Sequence, residues 1–132
     1  MLGIKKSIIK SMFKYEVVGN KPGDLQISVP KLKKVEEEDK KYAIYGERAL
    51  KYLDGVQDVK IDYAKGLVDV IYDITKTTGR KIYKWIEIVV DLTIDNYEDY
   101  KDIWSKENLT DEDIEKLWKI AEVFLAKNIG RV

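Results

Sequence analysis

The chain has 132 residues, 45% of them hydrophobic and 36% charged, the profile of one globular domain with its own core and not of a disordered segment. Lys+Arg and Asp+Glu both number 24, which argues against a general nucleic-acid binder, a class that carries a basic excess. There is no cysteine and no histidine, so disulfides, thiolate or imidazole metal sites, cysteine nucleophiles and histidine-based triads are excluded, and any metal would need oxygen ligands.

Ile4, Ile8, Ile9 and Met12 recur at helical spacing, with Lys5, Lys6, Lys10 and Lys14 largely on other faces. Residues 1–12 therefore read as a short basic amphipathic arm that packs on its own domain or frays, or that docks a partner or makes peripheral membrane contact through residues 1–14. No apolar run reaches membrane-spanning length, and the lysines leave no uninterrupted signal-peptide core, so the expected address is cytoplasmic. Residues 13–18 turn β-like, and Gly19-Asn20-Lys21-Pro22-Gly23 is a dense turn signal. Leu25, Ile27 and Val29 then alternate with Asp24, Gln26 and Ser28 in a strand that Pro30 ends.

Residues 36–53 read as a helix with Tyr42, Tyr45, Ala49 and Leu53 on one face, stopped by Asp54-Gly55. Two strands follow around Lys65-Gly66. With those two residues as the hairpin loop, Tyr63 faces Val68 and Ile61 faces Val70, which buries Val59, Ile61, Tyr63, Val68, Val70 and Tyr72 together. The same register sets Asp62 opposite Asp69 on the outer face. Thr77 or Thr78 caps a helix over about residues 80–94, with Ile82, Trp85, Ile86, Val89 and Thr93 along one stripe. Residues 96–104 read as a short helix. Thr110 with Asp113 resembles a capping box with the shorter acid, and it opens a helix whose stripe is Ile114, Leu117, Trp118, Ala121, Phe124, Leu125 and Ile129.

This order predicts an α+β fold: a ferredoxin-like antiparallel sheet packed with helices, plus the N-terminal arm and a C-terminal helical extension. The divisions expected are an arm over 1–12, a core over 13–95 and an extension over 96–132 that packs on the core. No strand follows the second core helix, so residues 13–18 are expected to pair with the strand of residues 25–29 and fill that sheet edge.

Certain short pieces carry a resemblance. They are Val17-Val18, Pro22-Gly23 leading into a strand closed by Pro30, Leu32, and Gly55-Val56 with Val59. Lys65-Gly66-Leu67-Val68 and Val70-Ile71-Tyr72-Asp73 complete the set. Over residues 15–73 the chain resembles the heavy-metal-associated superfamily, specifically its cysteine-free second type, often found with metal-transporting P-type ATPases. The resemblance implies a ferredoxin-like fold and a role near metal transport or storage. The first type binds soft metal through Cys-x-x-Cys in the loop before its first helix, and residues 30–39 here hold no such ligand. The second type commonly has a histidine before Pro-Gly and arginines after it, where this chain has Gly19, Asn20, Asp24 and Gln26.

The outer sheet face offers Asp24, Gln26, Ser28, Asp62, Asp69 and Asp73. Like charges facing across strands are destabilising, and a hard cation such as Mg²⁺, Ca²⁺ or ferrous iron, or a basic partner, would offset that. Asp62, Asp69 and Asp24 are the metal candidates on this argument, with simple hydration as the plain alternative. Glu36, Glu37, Glu38 and Asp39 sit where a helix dipole favours acids. Asp91, Asp95, Glu98, Asp99 and Asp102 lack calcium-loop spacing and read as a solvated surface. No Gly-rich phosphate loop, metalloprotease helix or Gly-x-Ser-x-Gly elbow occurs, so neither catalysis nor a cofactor is expected. The expected function is a non-catalytic binding or interaction module accessory to metal transport or storage. Its expected partner is a protein, such as a metal-transporting P-type ATPase or a second copy of the chain. The alternative is a carboxylate-based sensor or carrier of a hard cation.

Overall fold

Alternation of apolar and polar residues builds the sheet. The computed structural model describes residues 14–37, 40–104 and 110–132; the arm of residues 1–12, with Phe13, Glu38 and Asp39, lies outside the described residues. Strands β1 (Glu16–Lys21), β2 (Asp24–Ser28), β3 (Val56–Asp62) and β4 (Leu67–Tyr72) form one antiparallel sheet in the order β1-β2-β4-β3. This is the ferredoxin-like arrangement with β1 in the edge place of the missing last strand. The expected hairpin is present, with β1 displaced a few residues C-terminal of residues 13–18. Its tight turn uses Pro22 with Gly23 at φ +82°, Pro then Gly being the order that a type II turn favours.

Helix α1 (Lys40–Lys51) lies against β3, and α2 (Gly79–Asp95) lies beneath β1. The predicted helix start at residue 36 is too early: a 3-10 turn, Pro30–Lys34, occupies the loop after β2, and Pro30 stands at its first position. Between sheet and helices lie Leu25, Ile27, Val70, Leu32, Ala49, Ile82 and Trp85, all buried. The Trp85 indole N–H donates to the Ala49 carbonyl at 2.8 Å. That carbonyl belongs to the last turn of α1, where helix carbonyls lack partners of their own, so one side chain both fills the core and closes a helix end.

Helices α3 (Tyr97–Trp104) and α4 (Asp111–Asn128) form a further layer on α1 and α2. Thr110 and Asp113 make a reciprocal capping box that starts α4. Leu125 from α4 joins the main core, while Tyr100, Leu117 and Ala121 centre a second cluster with Tyr45, Trp118 and Phe124. Tyr45 meets Tyr100 edge-on at 6.0 Å and Trp118 at 6.4 Å. Burial, helped by the adjacent Tyr100 hydroxyl, pushes the Tyr45 hydroxyl far above its ordinary pKa.

The register of the β3–β4 hairpin corrects the sequence expectation. Ile61 faces Val68, Val59 faces Val70, Lys60 faces Asp69 and Asp62 faces Leu67. Asp62 is therefore not opposite Asp69. A two-residue loop of the kind that matches strand twist requires positive φ at both positions or at the first, and the first would be Lys65. Gly66 is the residue with positive φ here, at +66°, and no non-glycine residue has one among the described residues. The loop therefore widens to residues 63–66, where Asp62 Oδ1 accepts the Lys65 N–H at 3.1 Å. Tyr63 leaves the strand but still packs against the core.

Candidate interaction face

All the helices lie on one side of the sheet. On the other side the strands present Asp24, Gln26 and Ser28 from β2, Leu67, Asp69 and Ile71 from β4, and Asp58, Lys60 and Asp62 from β3. Among the described residues the helices make their core contacts on the opposite side, through residues such as Leu25, Val70 and Tyr72. Its middle row runs Gln26–Asp69–Lys60 across three strands. Gln26 Nε2 donates to Asp69 Oδ1 at 3.0 Å, and Lys60 faces Asp69 from the other flank. The carboxylate that was expected to be repelled thus accepts from an amide on one strand and faces a lysine position on the other.

The other acids on this side are likewise occupied. Asp62 holds the loop N–H of Lys65. Asp73, just past β4, accepts from the backbone N–H of Thr75 at 2.9 Å and from its hydroxyl at 2.6 Å. These bonds, the hydroxyl's first, keep its carboxyl below the usual carboxylate range. Asp58 lies 3.7 Å from Lys51 Nζ. Asp24 differs, because its Oδ1 is shut off from solvent and has no hydrogen-bond partner among the described residues. Asp24 and Asp58 flank Ile71 on opposite sides, which separates their backbones by two strand spacings, roughly 9–10 Å. Among the described residues no group of three or more His, Cys, Asp or Glu is placed to hold a metal ion. Of the three metal candidates, Asp24 and Asp69 stand on neighbouring strands and Asp62 lies diagonal to Asp69; the sheet does not bring the three to one point.

Sequence reasoning passed over the apolar members of this face. Leu67 and Ile71 are half-buried, on the side opposite Val68, Val70 and Tyr72. Ile74, just beyond β4, is 62% exposed. The signal was available in the period-two alternation, since any residue that shares a parity with Asp69 in β4 must share its face. Along β4 the face thus runs Leu67–Asp69–Ile71, two apolar side chains on either side of a hydrogen-bonded carboxylate, with Ile74 beyond.

The loop at one end of the sheet carries Lys31, Lys33 and Lys34, all exposed, on the 3-10 turn. The stem of Lys33 lies against Gly66, and Val29 N–H donates to the Gly66 carbonyl at 2.7 Å, so this loop and the β3–β4 loop form one edge.

A model of the heavy-metal-associated domain family matches residues 46–88. The match runs from within α1 through β3 and β4 into α2. It thus takes in Ala49, Val59, Val70 and Trp85, and it does not reach β2 or the lysine-bearing loop. No curated protein and no solved structure matches the chain significantly. Among the described residues no helix is long and apolar enough to cross a membrane.

Proposed function

We propose that this chain is a non-catalytic interaction module accessory to metal transport or storage, which keeps the heavy-metal-associated scaffold and recognises a protein through the open face of its sheet. One observation carries the reading: the family match runs from within α1 through β3 and β4 into α2, while the loop before α1 offers lysines in a chain with no cysteine or histidine. A scaffold without thiolate or imidazole cannot hold Cu(I) or Zn²⁺ in their usual fashion. What it offers a partner instead is Leu67 and Ile71 on either side of Asp69, with Lys60 and Asp58 on the neighbouring strand. The partner proposed is the cytosolic part of a metal-transporting P-type ATPase.

Calorimetric titration of that purified partner against the chain tests the reading. The double variant Leu67→Glu/Ile71→Glu should weaken binding by at least tenfold with its circular dichroism unchanged. Equal binding by parent and variant would remove the sheet face from the proposal. Titration with metals alone tests the other half. Sub-micromolar uptake of Zn²⁺ or Cu(I) would contradict the ligand chemistry. Uptake of Mg²⁺, Ca²⁺ or Fe²⁺ that Asp24→Asn abolishes would establish the hard-cation alternative.

A further inference from the structure

The edge of α2 beneath β1 carries apolar surface that the described part of the domain covers only in part: Val90 packs against the main core and Tyr83 meets Tyr15, while Ile94 stands open. At 3.6 residues per turn, Tyr83, Glu87, Val90, Asp91 and Ile94 fall within an arc of roughly 100°. Tyr83 is 38% exposed and Ile94 51% exposed, Val90 is half-buried, and Glu87 and Asp91 are exposed beside them. The last turn of α2 adds the exposed acid Asp95 and carries no basic residue. The result is an apolar stripe bordered by acids along one helix.

The chain enters β1 at the start of this stripe. Tyr15 meets Tyr83 edge-on with ring centroids 5.9 Å apart. Burial, then the neighbouring Tyr83, Glu87 and Asp91, push its hydroxyl up to about 12. Whatever precedes Tyr15 therefore leaves from Tyr83, with the rest of the stripe within reach.

We infer that this stripe is the docking surface for the chain's own residues 1–13. The spacing supports this occupant. Counting back from Tyr15, Ile8 and Ile4 stand as many residues away as Val90 and Ile94 stand beyond Tyr83. Laid antiparallel to α2, a helix over that segment, which advances 1.5 Å per residue, brings Ile4 and Ile8 to the half of the stripe that holds Val90 and Ile94. The stripe from Tyr83 to Ile94 is roughly 16 Å long, and the thirteen residues before Lys14, which would span roughly 20 Å as a helix, are long enough to cover it. Charge agrees with spacing: Lys5, Lys6 and Lys10 meet a surface bordered by Glu87, Asp91 and Asp95. A membrane surface or a second copy would also take a basic amphipathic segment, and both enter as outcomes of the test. Neither accounts for the matched spacing or for the entry of the chain at Tyr83.

The chain contains no cysteine, so introduced pairs report without background. Under mild oxidation at low protein concentration, Ile4→Cys/Ile94→Cys should close an intramolecular disulfide at least tenfold faster than the control Ile4→Cys/Val123→Cys. Val123 is 53% exposed on α4. A second readout needs no cysteine. Trypsin cleavage after Lys5, Lys6 and Lys10 should accelerate at least tenfold in Glu87→Lys/Asp91→Lys, at a salt concentration where the parent is protected. Equal closure by the two cysteine pairs overturns the inference, as does closure only between molecules, which assigns the stripe to a second copy. Unchanged cleavage in the charge-reversed variant overturns it too. So does a parent whose lysines are cut freely until phosphatidylserine vesicles are added, which assigns the arm to a membrane.

Discussion

Asp69 illustrates how far a single contact changes the reading of a residue. Facing another aspartate, it would gain from neutralisation. Held by Gln26 and facing Lys60, it contributes to the sheet. Asp69→Ala should therefore lower stability by about 1 kcal/mol, the scale of one hydrogen bond to a charged group on a partly wet surface. In a double-mutant cycle with Gln26→Ala, urea unfolding should show a coupling of about 0.5–1 kcal/mol. A gain in stability in Asp69→Ala would restore the repulsive picture. Gly55 makes a backbone argument of the same kind. Its φ is +100°, and a Cβ there would stand 2.8 Å from Thr77 Cγ2. Gly55→Ala should cost about 2–4 kcal/mol, combining strained backbone with a clash against a buried neighbour. A melting temperature equal to that of the parent would contradict both causes.

Among the elements, the start of α4 is the most directly testable. The Thr110 hydroxyl accepts the Asp113 N–H at 3.2 Å, and Asp113 Oδ2 accepts the Thr110 N–H at 3.1 Å. Thr110→Ala should destabilise by about 1 kcal/mol, measured by thermal unfolding, and Thr110→Ser should recover most of that. This cap was legible in the sequence because its two residues lie three apart and each satisfies the other's backbone N–H. Helix α2 was legible for a related reason: Thr78 caps it, and its stripe from Ile82 through Trp85 to Thr93 is periodic over its whole length. The β3–β4 register was not. A slip of two residues leaves every side chain on the same face, so the buried set Val59, Ile61, Val68 and Val70 is equally satisfied by both pairings. The loop decides between them, through the requirement that Gly66 and not Lys65 take positive φ. The candidate face inherited that ambiguity: its members could be read from alternation, and their partners could not. The start of α1 was misplaced for a different reason, because the acids at residues 36–39 suit a helix N-terminus whether or not the helix begins there.

At the scale of the whole molecule, the lack of histidine and cysteine leaves no side chain with an ordinary pKa between those of the carboxylates and those of tyrosine and lysine. Stability should be nearly constant from pH 6 to about 9, fall in acid as hydrogen-bonded carboxylates such as Asp73 take up protons, and fall again on the alkaline side. Tyr15 retains its proton to about 12 in the folded state, whereas an unfolded tyrosine loses it near 10. Between these values the unfolded state binds fewer protons, so stability falls as pH rises; below pH 10 the contribution is fully in place. Tyr63 and Tyr100 are raised by burial in the same sense. Urea midpoints between pH 8 and 12 should fall less steeply for Tyr15→Phe than for the parent. Equal slopes would mean that Tyr15 is as free to ionise in the folded chain as in the unfolded one.

The bond from Trp85 to the end of α1 turns the molecule into its own optical sensor. The indole is fully buried, lies nearly parallel to Tyr52 at 6.4 Å between ring centroids, and donates across the α1–α2 junction. Its emission therefore responds to the separation of two helices that the family match also joins. Trp118 is half-buried on another layer beside Arg48 and supplies an independent signal. Replacing both Trp104 and Trp118 by Phe should leave Trp85 as the single tryptophan, with a blue-shifted emission that moves to the red only when α1 parts from α2. If the outer helices come away first on denaturation, the loss of helical circular dichroism will precede that shift. Coincident transitions would mean that the α3–α4 layer and the sheet-bearing core unfold as one cooperative unit.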